Sequence, residues 1–261
     1  MYSDKPRCQY GINPLSEVIC QFYFPEIQAI AASSPSEFLQ MIQDQYPRFQ
    51  RRMEIPAPKI VGRPGQFQLE NQPGVINCQF VSADDIWRVN LTSRFISLSC
   101  ARYTCWEEFA AHLDKPLVAF LQLYRPEYFQ RIGLRYRNII SRKALGLEEK
   151  KFSELFAPSY LGPLADPEAN EETASRCGLD MEMAIRGGCR MQLRSGPIKE
   201  QRTGNTERET KFLFDQDFYI AGNIPPHLSA AALNTLHNQA WAVFRGAITD
   251  TLHDAMKPQR V

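Results

Sequence analysis

Phe129-Gln130-Arg131-Ile132-Gly133-Leu134-Arg135-Tyr136-Arg137-Asn138-Ile139-Ile140 repeats with the period of a β-strand. Side chains alternate across a strand, so Arg131, Arg135 and Arg137 fall on one face, with Gly133 leaving space between them. Ile132 and Leu134 fall on the other. A strand that is apolar on one side and cationic on the other suits an antiparallel sheet with one face on a core and one face open. A second strand of this kind lies near the start of the chain, stopped at Pro25: Val18, Cys20, Phe22 and Phe24 share one face, and Glu17, Gln21 and Tyr23 share the other.

Working outward, further alternating runs predict strands at Val75–Val81, Ile86–Leu91, Arg94–Cys100, Leu179–Ile185, Cys189–Leu193 and Lys211–Ile220. A helix is expected over Phe38, Leu39 and Ile42 with Ser34 or Ser36 as its N-cap. Thr104-Cys105-Trp106-Glu107 reads as a capping box opening a long helix that carries Pro116, where a kink or break is expected. A weak helix is expected around Phe152–Phe156, followed by a connector rich in proline (Pro158, Pro163, Pro167). The last helix runs from after Pro226 to about Met256. Between the two strands Leu179–Ile185 and Cys189–Leu193, a three-residue loop, Arg186-Gly187-Gly188, keeps apolar residues on one face; it pairs Met183 with Met191 and calls for a left-handed glycine. Residues 54–74 and 195–210 are expected as flexible loops.

The order is β-α-β-β-β-α, twice. The fold class expected is α+β: a single domain over 1–261 built on a curved antiparallel sheet of about eight strands, with pseudo-repeated halves at 14–125 and 126–256. Both long helices pack on one face. If the first strands of the halves pair at the centre, the opposite face collects Glu17, Tyr23, Arg131, Arg135 and Arg137, with Arg88, Asn90, Asp215, Asp217 and Tyr219 on flanking strands.

Bulk properties restrict the function. With 261 residues, 44% hydrophobic, the chain can bury a large core. A formal net charge of +1 removes any whole-molecule attraction to nucleic acid or membrane, so such a site has to be a local patch. No apolar run is long enough to cross a bilayer, and no secretory leader is recognisable. Seven cysteines at irregular spacings fit reduced thiols, and a cytoplasmic location is expected.

Three guanidiniums on one strand repel one another unless anions meet them. Glu17, Asp215 and Asp217 neutralise them as cross-strand pairs, an external anion does so, or they stand in solvent. Asp215 and Asp217, two apart on one strand, are also a weak candidate for a hard cation, but two ligands are too few and no metal site is assigned. His112, His227, His237 and His253 are scattered and read as solvated or core residues. No Walker loop, G-x-G-x-x-G, G-x-S-x-G or H-E-x-x-H is present, so no catalytic residue and no cofactor is expected. Phe212, Phe214 and Phe218 point inward as core. Arg186, Arg190, Arg194, Lys199 and Arg202 make the second hairpin locally basic, diluted by Glu200, Glu207 and Glu209.

Pro14-Leu15-Ser16-Glu17, Trp106-Glu107-Glu108-Phe109, Arg131 to Asn138 and Asp215-Gln216-Asp217 together resemble a sporadically distributed, largely uncharacterised prokaryotic family that carries an R-I-G-L-R-Y-x-N strand. Arg137 stands where that segment is often apolar. Sporadic distribution implies gene transfer, hence a role in phage defence, a toxin–antitoxin pair or a mobile element; the resemblance supplies no catalytic residues. The function expected is a non-catalytic binding or regulatory subunit that grips a protein partner. The alternatives are a nucleic-acid-binding protein that uses Arg88, Arg131, Arg135, Arg137 and the Gly187-Gly188 hairpin, and a metal-dependent hydrolase built on Asp215 and Asp217.

Overall fold

The computed structural model describes residues 2–32, 34–55, 58–63, 66–166, 168–171, 174, 177–199 and 209–260. The strands are β1 (Cys8–Tyr10), β2 (Leu15–Tyr23), β3 (Arg48–Glu54), β4 (Lys59–Arg63), β5 (Gln66–Glu70), β6 (Val75–Val81), β7 (Trp87–Leu91), β8 (Phe95–Cys100), β9 (Phe129–Ile140), β10 (Leu179–Ala184), β11 (Arg190–Lys199), β12 (Thr210–Ile224) and β13 (Pro258–Arg260). The helices are α1 (Gln28–Ala32), α2 (Ser36–Ile42), α3 (Trp106–Tyr124), α4 (Arg142–Leu145), α5 (Phe152–Leu155), α6 (Ser229–Ala247) and α7 (Asp250–Ala255). Among the described residues, nine strands form one sheet in the order β10-β11-β12-β9-β2-β8-β7-β6-β3, while β4-β5 and β1-β13 form two small ribbons. The class is α+β, with antiparallel pairing in the large sheet.

β2 and β9 pair in the middle of the sheet, Val18 opposite Tyr136, Cys20 opposite Leu134 and Phe22 opposite Ile132. All six side chains are buried. Burying alternate residues of both strands against helices is what the period of two demands, and it sends Gln21, Arg131, Arg135 and Arg137 the other way. α3 covers the buried face through Phe120, whose ring centroid lies 4.6 Å from Phe24 and 6.5 Å from Phe129. α6 covers it through Phe244, 6.0 Å from Phe214. The two long helices meet where Trp106 stacks on His237 at 4.6 Å.

α3 continues through Pro116. Proline has no N–H to offer the carbonyl four residues earlier. That carbonyl, on His112, instead accepts a hydrogen bond from the buried Tyr46 hydroxyl at 2.8 Å, so the partner lost within the helix is replaced from the turn after α2.

The β10–β11 hairpin has the expected loop. Met183 pairs with Met191, Ile185 N–H donates to the Cys189 carbonyl at 2.9 Å, and Gly187 and Gly188 hold φ of 76° and 70°, the left-handed region open to glycine at no cost.

Other expectations are corrected. The sheet has nine strands rather than about eight, because β3 closes one edge. Phe49 is its only half-buried residue, so the edge has no apolar alternation to betray it. Two stretches expected as loops contain strands. β4 and β5 pair with each other within 54–74, and Ser195–Lys199 prolongs β11 against Thr210–Phe214. Residues 56–57, 64–65 and 200–208 of those stretches, with Glu200, Arg202 and Glu207, and Pro167 of the connector lie outside the described residues. The capping box does not form. Cys105 is the N-cap of α3 and caps nothing with its side chain, and Thr104 donates to the Glu108 carboxylate. α2 likewise starts at Ser36, after Pro35, with no side-chain cap. The last helix is two: Ile248 is extended and bridges to Phe156, and Thr249 then caps α7 by accepting from Leu252 N–H at 3.4 Å.

Candidate functional site

On the open face, β9 lies between β12 and β2. The register sets Arg135 opposite Asp217, and Arg137 between Asp215 and Glu17. The ion pairs run diagonally to that register. Arg135 grips Asp215 with two nitrogens, at 2.8 and 2.5 Å, and Asp215 is only 5% exposed. Two parallel N–H···O bonds to one carboxylate are the strongest geometry a guanidinium makes, and they hold the Arg135 charge in place. Arg131 reaches Asp217 at 2.8 Å by lying back over its own strand across Gly133. A Cβ at Gly133 would sit 2.9 Å from the Arg131 Cζ, so the missing side chain is what admits the guanidinium. Arg131 also stands over the Tyr219 ring at 4.4 Å, with Tyr23 at 6.0 Å. The Tyr219 hydroxyl is held in turn by Glu182 and Arg190.

The three arginines therefore share a face, and two of them are met by internal carboxylates. Among the described residues Arg137 meets no carboxylate; its Nη1 donates to the Ser16 hydroxyl at 3.4 Å. Glu17, expected as a counter-charge, makes no ion pair among the described residues although it lies opposite Arg137. The register of β2 shifts between Leu15 and Glu17, and it is Ser16 at that bulge which meets Arg137, donating from its hydroxyl to the Arg137 carbonyl at 2.9 Å. Farther out, Arg190 pairs with Glu182 at 2.9 Å and Arg194 with Asp180 at 3.1 Å, which offsets two of the basic side chains expected on that hairpin. Asp215 and Asp217 are held by arginine, and among the described residues no third acidic, histidine or cysteine side chain joins them.

Glu17, Arg88, Asn90, Arg131, Arg135 and Asp217 line one open groove of about 350 Å³. Tyr23 borders an adjoining hollow with Arg131 and Asp217. Asn90 is the hub of the groove's amide cluster: its Oδ1 accepts from Asn77 and Gln79, each at 3.1 Å. Arg88 is exposed and carries no ion pair among the described residues. The groove thus alternates guanidinium, carboxylate and amide, with donors and acceptors interleaved.

The intervening residues of the same strands build a second hollow, between the sheet, α3, α6 and the N-terminal segment, of about 150 Å³. Tyr103, Trp106, Tyr136, Gln216, His237 and Trp241 line it. Tyr136 and Gln216 are neighbours across β9 and β12. The Tyr136 hydroxyl lies 2.7 Å from His237 Nδ1. Burial pushes the Tyr136 phenol well above its usual range and His237 down to about 4, with Arg7 adding to the latter and Glu107 opposing it. The phenol therefore keeps its proton and the imidazole is neutral, the two sharing one hydrogen bond. Gln216 is 1% exposed and its side-chain nitrogen has no partner. Tyr10, packed on Trp241 at 6.2 Å and His253 at 5.5 Å, and the Trp241 indole, donating to the Lys5 carbonyl at 3.0 Å, bring the N-terminal segment against the wall.

Sequence patterns overlooked this hollow. The signal was present: the inward phase of β12 reads Phe212, Phe214, Gln216, Phe218, and that of β9 reads Leu134, Tyr136, Asn138, Ile140. Polar residues interrupt both apolar phases at the same register.

Among the described residues no helix is long and apolar enough to cross a membrane. Compared with known proteins, the chain matches no family model and no curated protein.

Proposed function

We propose that this protein is a non-catalytic binding or regulatory subunit that grips a protein partner in the groove of its open sheet face. The observation that carries this is the internal pairing of the arginines. Arg131–Asp217, Arg135–Asp215, Arg190–Glu182 and Arg194–Asp180 leave a face with little surplus positive charge for a phosphate backbone, which counts against nucleic acid. Interleaved donors and acceptors suit a polypeptide segment, with Arg88 available to a partner carboxylate.

The strand order supports a duplicated architecture for such a subunit: outward from the β2–β9 pair it runs β8-β7-β6 on one side and β12-β11-β10 on the other. The resemblance of Arg131–Tyr136 to sporadically distributed prokaryotic proteins directs the search for the partner to defence, toxin–antitoxin or mobile-element systems.

The test is purification of the protein from its native cells with bound partners identified by mass spectrometry. A stoichiometric protein partner is expected, lost in Arg88→Glu and kept in Lys150→Glu, whose side chain pairs with Glu154 away from the groove. Recovery of nucleic acid alone, with affinity falling steeply as salt rises, would overturn the proposal in favour of nucleic-acid binding.

A further inference from the structure

We propose that the hollow between α3, α6 and the sheet is a binding site for a small single-ring molecule carrying a carbonyl or carboxylate oxygen. It is independent of the groove on the opposite face. Size sets the first limit, since a cavity of about 150 Å³ accommodates one benzene-sized ring and little more. The walls set the second. Trp106, Tyr103, Trp241 and Phe244 present aromatic surface suited to packing a flat apolar body.

The polar atoms choose the ligand's functional group. Gln216 is buried in the floor, and its side-chain nitrogen donates to nothing. Proteins rarely leave a buried donor unpaired without a reason, because a thioether or methyl group of the same shape is more stable there. His237, neutral and joined to the Tyr136 hydroxyl through Nδ1, forms part of the wall. An unpaired amide nitrogen in an aromatic pocket calls for an oxygen acceptor on the ligand. Arg7, also on the lining, makes a carboxylate acceptable, and Glu107 offsets it.

Tryptophan emission reports on the site directly. Trp106 and Trp241 line it, whereas Trp87 is stacked on His112 at 3.9 Å elsewhere. Titrating the full chain with benzamide, benzoate and toluene is expected to give a saturable change for benzamide or benzoate at least tenfold tighter than for toluene. Gln216→Met is expected to keep toluene binding, to lose the preference for the oxygen-bearing probes, and to melt at a higher temperature than the parent. Thr104→Trp, a change at an exposed position on the rim, is expected to weaken all three probes. No saturable change with any probe overturns the proposal, as does a preference that survives in Gln216→Met. A lower melting temperature for Gln216→Met would assign Gln216 to the fold instead. Unchanged binding in Thr104→Trp would place the probes elsewhere.

Discussion

The open face and the helix-side hollow are made by the same two strands, one residue out of phase, and they are held by different forces. On the open side Arg135 and Asp215 are a charged pair whose bonds are short and bidentate. On the inner side Tyr136 and Gln216, their sequence neighbours, sit among aromatic rings with one neutral hydrogen bond and one unpaired amide. Charge is tolerable on the first because solvent still reaches Arg135, 37% exposed, and both Asp215 carboxylate oxygens accept from its guanidinium. On the second, burial suppresses charge: His237 is neutral and Tyr136 keeps its proton. A β-strand thus lets one segment supply an ionic lattice and a desolvated pocket at once.

This contrast is open to direct attack, and the largest effect is expected from pH. The folded-state pKa of His237, about 4, lies below its unfolded value of 6.5, so the unfolded chain takes up a proton first as pH falls. Stability supplied by the neutral ring is complete above about pH 6.5 and is lost as pH drops toward 4, a difference of roughly 3 kcal/mol from this residue. Urea denaturation at successive pH values should show the decline, and His237→Phe should flatten it.

Next in size is Asp215→Ala, which strands the Arg135 guanidinium without its carboxylate. A loss of about 2 to 3 kcal/mol is expected, and Arg135→Leu in the same chain should recover part of it. If the single substitution costs less than about 0.5 kcal/mol, the open face is not a lattice but a set of solvated charges.

Tyr136→Phe removes one neutral bond to His237 and should cost about 1 kcal/mol. Its cost should be the same at low and high salt, whereas the cost of losing Asp217 from the partly exposed Arg131 pair, 23% and 28% open to solvent, should shrink as salt rises. Gly133→Ala is the mildest. Its methyl displaces the flexible end of Arg131 rather than backbone, so less than about 1 kcal/mol should be lost. In a double-mutant cycle, Arg131→Met should add almost nothing once Gly133 is Ala.

Much of the open face was legible in advance. Arg131, Arg135 and Arg137 are assigned to one side by counting in twos, and Glu17 to Phe24 lies alongside, as expected if the first strands of two halves pair at the centre. Gly133 announced the space that Arg131 occupies. What counting in twos did not reveal was direction along the face. Asp215 lies opposite Arg137 yet binds Arg135, because a long guanidinium reaches diagonally as easily as straight across. β3 escaped notice since an exposed edge strand needs only backbone partners. Thr104 misled because the N-cap position falls on Cys105, one residue later.

The amino-acid sequence alone determines which side chains of β2, β9 and β12 look inward, since the alternation of a strand is a local property of the backbone. It also determines the glycine turn at Gly187-Gly188, where few other residues accept the required φ. Only the tertiary structure decided that Trp106, Tyr136, Gln216 and His237 converge on one hollow. They come from segments far apart in the chain, and their meeting depends on how α3 and α6 settle on the sheet, a matter of long-range packing that no local period encodes.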